Sequence, residues 1–217
     1  TDSEYILLLN NDVIFEEQDV IDSLVTRLEE NDGIGMLSPV IYDYPDKTSL
    51  WFSHGTVGNT SRLASQRHGD CWEREGLIAN DYVPITCVMS PADLFREIGL
   101  LDDQYFLYYE DVDLAQRIRQ AGRLVVTDGA VRIFHKGSAS TEGSRSPTSS
   151  YYRARNTWLF KRKVDGRIDI GFLLMYLWWV MTRTLYRVYH GENQSALALI
   201  YGMLDGVRSI GGQKRYP

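Results

Sequence analysis

Residues 5–13 read YILLLNNDV, an apolar run that ends in Asn10, Asn11 and Asp12, and this stretch decides the fold. A continuous apolar run of this kind is typical of a strand that is buried on both faces, as in a parallel sheet. In open α/β sheets the ligand crevice lies at the carboxyl ends of the strands, so these polar side chains are expected to face a substrate.

Asp12 and Asn10 are also candidate ligands for a divalent cation. Mg²⁺ and Mn²⁺ take oxygen ligands, usually one or two carboxylates together with the phosphates of a bound substrate. An equally good interpretation is that Asn-Asn-Asp closes the strand and caps a helix that starts near Glu16. The motif alone leaves both interpretations open.

Length and composition describe one globular domain, or most of a larger one. The 217 residues are 44% hydrophobic and 24% charged, and the net charge of -6 offers no basic face for nucleic acid. The two cysteines, Cys71 and Cys87, lie in no metal-ligand spacing and indicate a reducing compartment. Because the first strand begins so near the start of a sequence without initiator Met, we expect that a preceding stretch supplies its neighbours.

Hydrophobic periodicity predicts further elements along the chain. Residues 18–30 are predicted to form a helix, residues 34–42 and 82–89 are predicted to form strands, and Pro91 marks the first turn of a short helix. Residues 43–81 lack periodicity, and a connection of this length is usually functional, so we expect it to shape an acceptor pocket. Its histidines, His54 and His68, have no partner at ligand spacing and are interpreted as solvated loop residues.

A second polar cluster follows an aromatic run. Residues 105–114 read YFLYYEDVDL, and the apolar spacing after them predicts a helix that ends at Gly122. Glu110, Asp111 and Asp113 crowd the start of this helix, where the macrodipole accounts for one or two acids without any function. Three acids are more than capping requires, and a carboxylate here could accept a proton from a substrate hydroxyl.

A third segment, VRIFH at residues 131–135, predicts another strand that ends in a polar residue, His135, followed by Lys136. Imidazole is a poor ligand for Mg²⁺ and a tolerable one for Mn²⁺, so His135 could complete a metal shell that begins with Asp12. The alternative is a histidine held by hydrogen bonds at a strand end, and for His135 taken alone this alternative is the better one.

Together these segments resemble the family 2 glycosyltransferases, which are nucleotide-sugar-dependent enzymes of the GT-A fold, and most closely their rhamnosyltransferase-like branch. ILLLNNDV is similar to their DXD-type strand end, YFLYYEDVDLAQRIRQAG to their acidic ED motif with its following arginine, and FHKGSAS to their metal-binding histidine segment. The resemblance continues through WFSHG at residues 51–55 and YYRARN at residues 151–156 into the apolar C-terminal stretch. It implies an α/β protein, with a partial GT-A (Rossmann-like) mixed sheet flanked by helices and with C-terminal amphipathic helices.

The resemblance also implies roles for particular residues. Asp12 would ligate a Mn²⁺ or Mg²⁺ ion that bridges the donor diphosphate, and His135 would be a further ligand. Asp111 would be the catalytic base that deprotonates the acceptor hydroxyl as it displaces the nucleotide diphosphate with inversion. Glu110 and Asp113 would orient sugar hydroxyls or support the helix. The residues expected to bind the nucleotide-sugar donor are Asn10, Asp12, Arg117 and Lys136.

Two departures from the family pattern matter. Asn10 replaces the first acid of the DXD pattern, which leaves one anionic ligand, and the N-terminal half of the family with most nucleotide contacts lies outside this sequence. We therefore expect residues 1–160 to form the catalytic and acceptor-binding part of a GT-A domain, followed by a C-terminal helical segment at 161–217. The isolated chain is expected to be inactive and to form a homo-oligomer through the strand at residues 7–9.

The predicted function is inverting, metal-dependent transfer of a sugar from a nucleotide-sugar donor to a glycan, polysaccharide or lipid-linked acceptor. The alternative is a non-catalytic carbohydrate-binding or scaffold fragment of the same fold, which would not need Asp111 as a base. Residues 136–150 are rich in Gly, Ser and Thr and stand where a lid over the donor is expected.

The C-terminal segment bears on location. Residues 170–180 are strongly apolar, but a bilayer span requires about 20 apolar residues, so this run is too short. One interpretation is an interfacial helix in peripheral contact with the cytoplasmic face of the cell membrane, because aromatic and basic residues favour the headgroup layer. The other is a helix that packs against residues 196–204 or against a second subunit.

Overall fold

The computed structural model describes residues 2–58, 76–137 and 145–214, together with the backbone of residues 65–66. The described residues form two compact units, of which the first comprises residues 2–57, 65–66, 76–101 and 111–137 and the second residues 58, 102–110 and 145–214. Residues 160 and 161, between which the sequence places a domain boundary, both lie in the helix Pro147–Asp165 of the second unit, and the boundary stays a prediction.

The first unit is built around a mixed sheet. The described strands of this unit are β1 (Tyr5–Leu9), β2 (Val13–Ile14), β3 (Ile34–Asp43), β4 (Leu50–Phe52), β5 (Gly55–Thr56), β6 (Ser65–Gln66), β7 (Leu77–Ala79), β8 (Cys87–Pro91) and β9 (Leu124–His135). β5 and β6 pair with each other in a separate two-stranded sheet. The seven-stranded sheet has the order β1-β8-β3-β9-β2, with β4 paired to β3 and β7 paired to β9. The pair β3 and β9 is parallel and its other described pairs are antiparallel, which confirms the predicted mixed α/β sheet.

The prediction for the first strand is wrong in one respect. β1 pairs antiparallel with β8 and stands at the end of the sheet order, and its residues are only partly buried. An apolar run indicates that a strand is shielded, but it does not indicate the direction of the neighbouring strand. The strand with a parallel partner and near-complete burial is β3, in which every residue before Asp43 is buried.

The described helices are α1 (Val20–Glu29), α2 (Ala92–Ile98), α3 (Glu110–Gln120), α4 (Pro147–Asp165), α5 (Ile170–Tyr189) and α6 (Asn193–Val207). Both α1 and α3 confirm the helices predicted from apolar spacing, and Gly122 follows α3 with a positive φ of 78°. The connection at 43–81 differs from the expectation because its described part carries the short strands β4, β5, β6 and β7. The strand predicted at 82–89 begins only at Cys87, and Pro91 precedes α2 instead of lying in its first turn.

The second unit is helical, and its core joins α4, α5 and α6. Trp158 of α4 packs with Phe172, Tyr176 and Val180 of α5, and α4 also packs closely on α6. One face of α5 therefore packs within the helical unit, which was one of the two interpretations that the sequence left open. Its opposite face is exposed and apolar, with Trp178 at 65% exposure. Within the described ranges, no helix is long and apolar enough to cross a membrane.

Candidate active site

The strand ends bring Asp12 and His135 together. Asp12 lies in the turn between β1 and β2, and His135 is the last residue of β9. β2 pairs with β9 so that Val13 lies opposite His135, and the Lys136 N–H donates to the Asp12 carbonyl at 3.0 Å. The His135 Nε2 consequently lies 3.1 Å from the Asp12 Oδ2.

The two side chains are shielded from water and not fully hydrogen-bonded. His135 is 6% exposed, Asp12 is half-buried, and the ring of Trp51 meets the imidazole edge-on at a centroid distance of 4.7 Å. Among the described residues, neither the Asp12 Oδ1 nor the His135 Nδ1 has a hydrogen-bond partner. Since buried polar atoms are normally paired, these two atoms indicate a place that another group completes.

Asp12 and His135 have the chemistry for only part of a metal shell. In the part of the chain that the structure describes, no group of three or more His, Cys, Asp or Glu residues could hold a metal ion. One carboxylate and one imidazole nevertheless suit a cation that takes its other ligands from substrate phosphates and water. The side chains therefore fit a metal shared with a diphosphate better than a metal held by protein alone.

The other two residues expected beside the metal and donor are close in sequence to this pair. Asn10 is exposed, and its backbone N–H donates to the Thr86 carbonyl at 2.9 Å, which holds the end of β1 against the segment before β8. Lys136 is also exposed and directly follows His135. Both side chains are accessible to a ligand, and their expected role in donor binding stays a prediction.

The acidic cluster lies at the start of α3. Glu110 and Asp111 are half-buried first and second residues of the helix, and the Asp111 Oδ1 accepts a hydrogen bond from the Val112 N–H at 2.8 Å. Asp113 is buried and accepts from the Arg117 Nε at 2.9 Å. Asp113 therefore supports the helix, whereas Glu110 and Asp111 stay partly accessible for chemistry.

Arg117 makes hydrogen bonds beyond its predicted i,i+4 pair with Asp113. Besides Asp113, its guanidinium donates to the carbonyls of Ile98 at 2.8 Å, Gly99 at 3.2 Å and Leu100 at 2.8 Å. The fork thus ties α3 to the end of α2. Arg117 therefore stabilises the packing of α3 against α2 inside the first unit. These contacts do not support the expected binding of a donor by Arg117, which stays a prediction.

The residues before α3 form a turn that we call the aromatic turn (residues 104–109). Its carbonyl groups accept hydrogen bonds from Arg155 and Asn156 of α4, two side chains that are completely buried. Sequence reasoning used these two residues only as part of the YYRARN resemblance. The signal that could have found them is an arginine and an amide side by side in a helix whose neighbours are mostly aromatic and apolar.

The connection at 43–81 contributes to a cleft in the first unit. The cleft has a volume of about 550 Å³, and its lining includes His54, Asn80 and Asp81 from this connection and Arg119 from α3. Asp81 and Arg119 form an ion pair of 3.0 Å in it. The expectation that this connection shapes an acceptor pocket stays a prediction.

Some expectations concern residues that the structure does not describe. His68, Cys71 and residues 138–144 of the expected lid lie outside the described residues. Cys87 is buried in β8, and burial raises the pKa of its thiol to about 12. A thiol of this kind is inert at neutral pH, which agrees with its interpretation as a structural residue.

The sheet with polar strand ends and an acidic helix start has relatives among glycosyltransferases. The low-salt glycan biosynthesis hexosyltransferase Agl10 of Haloferax volcanii is 21% identical over 223 residues, covering 97% of this chain and 68% of that protein. The N-acetylglucosaminyl-diphospho-decaprenol L-rhamnosyltransferase of Mycobacterium tuberculosis is 36% identical over 64 residues, or 30% of this chain and 20% of that protein. The dTDP-rhamnosyl transferase RfbF of Shigella flexneri is 25% identical over 135 residues, or 59% of this chain and 46% of that protein.

These relatives confirm the class predicted from the sequence, a hexosyl- or rhamnosyl-type glycosyltransferase that resembles family 2 and its rhamnosyltransferase-like branch. No family model matches the chain. Among solved structures, the mannosyltransferase PcManGT from Pyrobaculum calidifontis, in complex with GDP-Man and Mn²⁺, matches with a TM-score of 0.48 at 12% identity, covering 94% of this chain and 62% of that one. A likeness of that degree identifies neither a donor nor a metal for this chain.

Proposed function

We propose that this chain carries the metal-binding and acceptor-activating part of a glycosyltransferase. The reaction is transfer of a sugar, with inversion, from a nucleotide-sugar donor to a hydroxyl of a glycan, polysaccharide or lipid-linked acceptor. The observation that carries the proposal is the buried contact of 3.1 Å between Asp12 and His135, which leaves one polar atom of each without a hydrogen bond among the described residues.

The strand-end pair fits the donor side of the reaction. Asp12 and His135 would hold a Mn²⁺ or Mg²⁺ ion, and the exposed Lys136 and Asn10 flank them along the chain. When bound, a divalent cation neutralises negative charge on the leaving diphosphate. Trp51 covers the imidazole and keeps water away from it, which strengthens the interaction of these side chains with a charged ligand.

The start of α3 fits the acceptor side. The acceptor oxygen forms a bond to the anomeric carbon, the bond between that carbon and the diphosphate oxygen breaks, and the hydroxyl proton passes to the Asp111 carboxylate. The hydrogen bond from the Val112 N–H to the Asp111 Oδ1 fixes one oxygen of the carboxylate, so its orientation is defined before an acceptor arrives. Glu110 orients hydroxyls of the bound sugar in this proposal.

The helical unit supports an acceptor at a membrane surface. α5 exposes an apolar stripe that includes Leu174, Trp178 and Leu185, and no acidic residue occurs within α5. An exposed apolar helix face that includes Trp and Tyr suits the headgroup layer of a bilayer, where a lipid-linked acceptor resides. Flotation with vesicles that contain anionic lipid tests this part, and Trp178→Ser should reduce the bound fraction.

The expected homo-oligomer has a candidate contact in the first unit. β1 stands at the end of the sheet order, and an unpaired strand edge recruits another strand. Light scattering at several protein concentrations tests this contact, and a proline at Leu7 should shift the mass toward the monomer. A mass that is independent of this change would mean that β1 is not the contact.

The activity itself is tested with the full gene product and a panel of nucleotide sugars. Released nucleoside diphosphate and labelled acceptor are measured in Mn²⁺ and in chelator. His135→Ala should lower the rate of transfer in Mn²⁺ by about tenfold or more. Substitution of a residue that only hydrogen-bonds a metal ligand lowers activity about 10–100-fold, and loss of a ligand itself should have at least that effect. His190→Ala, at an exposed histidine of the helical unit, is the control and should leave transfer unchanged. Binding of a sugar without transfer by the unchanged protein would favour the non-catalytic alternative.

A further inference from the structure

The aromatic turn has an unfavourable backbone. Phe106, Tyr108 and Tyr109 have positive φ angles of 58°, 64° and 75°, in the left-handed region that residues with a Cβ rarely adopt. The Leu107 N–H donates to the Tyr105 carbonyl at 2.7 Å, a hydrogen bond that spans only three residues. Conformations of this kind persist only where the surrounding structure holds them, and they concentrate at functional sites.

Two buried side chains of α4 supply that hold. The Arg155 Nη2 donates to the carbonyls of Gln104 at 2.9 Å and Tyr105 at 2.8 Å. The Asn156 Nδ2 donates to three carbonyls, namely those of Tyr105 at 2.9 Å, Leu107 at 2.8 Å and Tyr108 at 2.8 Å. Four of the six carbonyls along the turn therefore accept hydrogen bonds from Arg155 or Asn156, which are adjacent in the sequence.

The chemistry of the groups fixes the orientation of the Asn156 amide. A guanidinium only donates hydrogen bonds, and a backbone carbonyl only accepts them. The Asn156 Oδ1 must therefore face the Arg155 Nε, which donates to it at 2.8 Å, while its Nδ2 must face the turn. An aspartate at position 156 would place a second acceptor against three carbonyls, although it has the same shape.

The side chains of the turn are also anchored on α4. The Tyr108 hydroxyl lies 2.8 Å from the Ser149 Oγ, and the Tyr109 hydroxyl lies 2.8 Å from the Thr157 Oγ1. The Arg155 guanidinium in turn lies 4.7 Å from the ring of Tyr152, so its charge is enclosed by aromatic faces and carbonyls. Burial of an arginine costs free energy unless its donors are hydrogen-bonded. Space filling alone is therefore a poor explanation for an arginine at position 155.

We infer that Arg155 and Asn156 are positioning residues for the two carboxylates at the start of α3. The aromatic turn continues without a break into Glu110 and Asp111, so a change in the backbone of the turn is passed directly to the backbone of the residues that carry the two carboxylates. Loss of either side chain lets the turn relax toward favourable backbone angles and moves the carboxylates away from their reactive orientation. The inference rests on the proposed function, in which Asp111 is the base.

The first arm of the test does not need activity. Hydrogen exchange at the Leu107 and Val112 amides is compared in the unchanged protein, Asn156→Asp and Arg155→Lys. Val112 reports on the carboxylate because its N–H is bonded to the Asp111 Oδ1. Both amides should exchange about tenfold faster or more in either variant, because their local structure opens without the hold. Unchanged exchange at both amides would overturn the inference, whatever the activity.

The second arm measures kcat and KM per folded molecule, with the folded fraction taken from circular dichroism. A positioning role predicts that kcat falls by about 10–100-fold, because a displacement of about 1 Å at a reacting group has that effect, while KM for the donor changes little. A role limited to stability would leave kcat per folded molecule unchanged, and that result would overturn the inference. Should Asn156→Asp fail to fold, Arg155→Lys keeps the charge and decides alone.

Arg162→Lys is the matched control. Arg162 lies on the same helix, is exposed, and donates to the Ser209 Oγ instead of to the turn. Both exchange and kcat should stay within about twofold of the unchanged protein, as expected for an exposed substitution away from special features. Absence of transfer by the unchanged protein would refute the proposed function, while the exchange arm would still show whether the two side chains hold the turn and the Asp111 carboxylate.

Discussion

The strand-end pair and the aromatic turn are built in opposite ways. Asp12 and His135 touch each other, and each keeps a buried polar atom that no described residue satisfies. In the aromatic turn, by contrast, Arg155 and Asn156 direct their donors to backbone carbonyls. Incomplete hydrogen bonding marks a place where a ligand completes the site, and complete hydrogen bonding marks a place where the protein fixes geometry.

The contrast has a consequence for how each region responds to substitution. Substitution of a residue that binds a ligand should lower the affinity for that ligand. If the residue binds through a metal, the loss of affinity should be larger when the metal is present. A residue that holds a backbone should affect the rate and not the affinity, because misplacement raises the energy of the transition state more than that of the bound state. These two patterns can be told apart by measurement.

The largest expected effect is that of Asp111→Asn in the full gene product. The amide cannot take the acceptor proton, so kcat should fall by about 10²–10⁴-fold, the contribution of a general base. Donor affinity should change little because the base acts in the transition state. Steady-state kinetics with a donor titration measures both quantities, and Asp103→Asn, at an exposed residue of the preceding segment, is the control. Retention of most of kcat would remove Asp111 from the proposed role.

The next effect is that of Asp12→Ala on donor binding. The carboxylate is linked to the diphosphate through the metal, so affinity in Mn²⁺ should fall about tenfold or more, while affinity in chelator should change little. Calorimetric titration of a nucleotide sugar in both conditions measures the difference. Asp22→Ala, on the exposed side of α1, should behave like the unchanged protein. An equal loss in both conditions would reduce Asp12 to a cap of the turn after β1.

The sequence predicted some elements of both regions, but neither β2 nor α4, the helix that carries Arg155 and Asn156. Apolar spacing identified α1, α3 and β3 because burial imposes a period on the chain. The same spacing carries no information on strand direction, so β1 was expected to be parallel although it pairs antiparallel with β8. Strand character at 82–89 was overestimated because Tyr82 and Val83 are buried in irregular structure, which apolar composition alone does not distinguish from a strand.

In the candidate site, too, some features could be predicted from the sequence and others could not. The two polar strand ends at Asp12 and His135 were visible in the sequence, but β1 and β9 are separated by β8 and β3 in the sheet. Asp12 meets His135 because the short strand β2, which directly follows Asp12, pairs antiparallel with the end of β9. The hold on the aromatic turn could not be predicted, since its acceptors are backbone carbonyls that carry no mark in the sequence. Arg117 is the opposite case, because its place in a motif suggested a ligand although three of its hydrogen bonds go to carbonyls at the end of α2.

A moderate effect is expected where α4, the helix that holds the turn, crosses α6. A Cβ on Gly202 would lie 2.3 Å from the Tyr151 carbonyl oxygen and 3.1 Å from the Ala154 Cβ, so Gly202→Ala must push the helices apart. Overpacking of this kind costs about 1–3 kcal/mol of unfolding free energy, against a gain of about 1 kcal/mol in helix propensity. Urea unfolding should therefore show net destabilisation, whereas Gln194→Ala on the exposed side of α6 should be neutral. A stabilised Gly202→Ala would contradict the rigid hold inferred for this unit.

The smallest effect concerns Asp169, the residue that caps α5. The hydrogen bond from the Phe172 N–H, together with the nearby Lys161 ammonium, holds the pKa of the Asp169 carboxyl below its usual range. A depressed pKa means that the charged form stabilises the folded state above the unfolded pKa, about 3.9, and that this contribution is lost as pH falls through the folded pKa. Asp169→Asn keeps an oxygen that can cap the helix but does not titrate. The variant should be slightly less stable than the unchanged protein at pH 6, and the difference should shrink toward pH 3 in urea unfolding. A difference of equal size at both pH values would show that the cap acts through shape alone, and that charge adds nothing at this helix end.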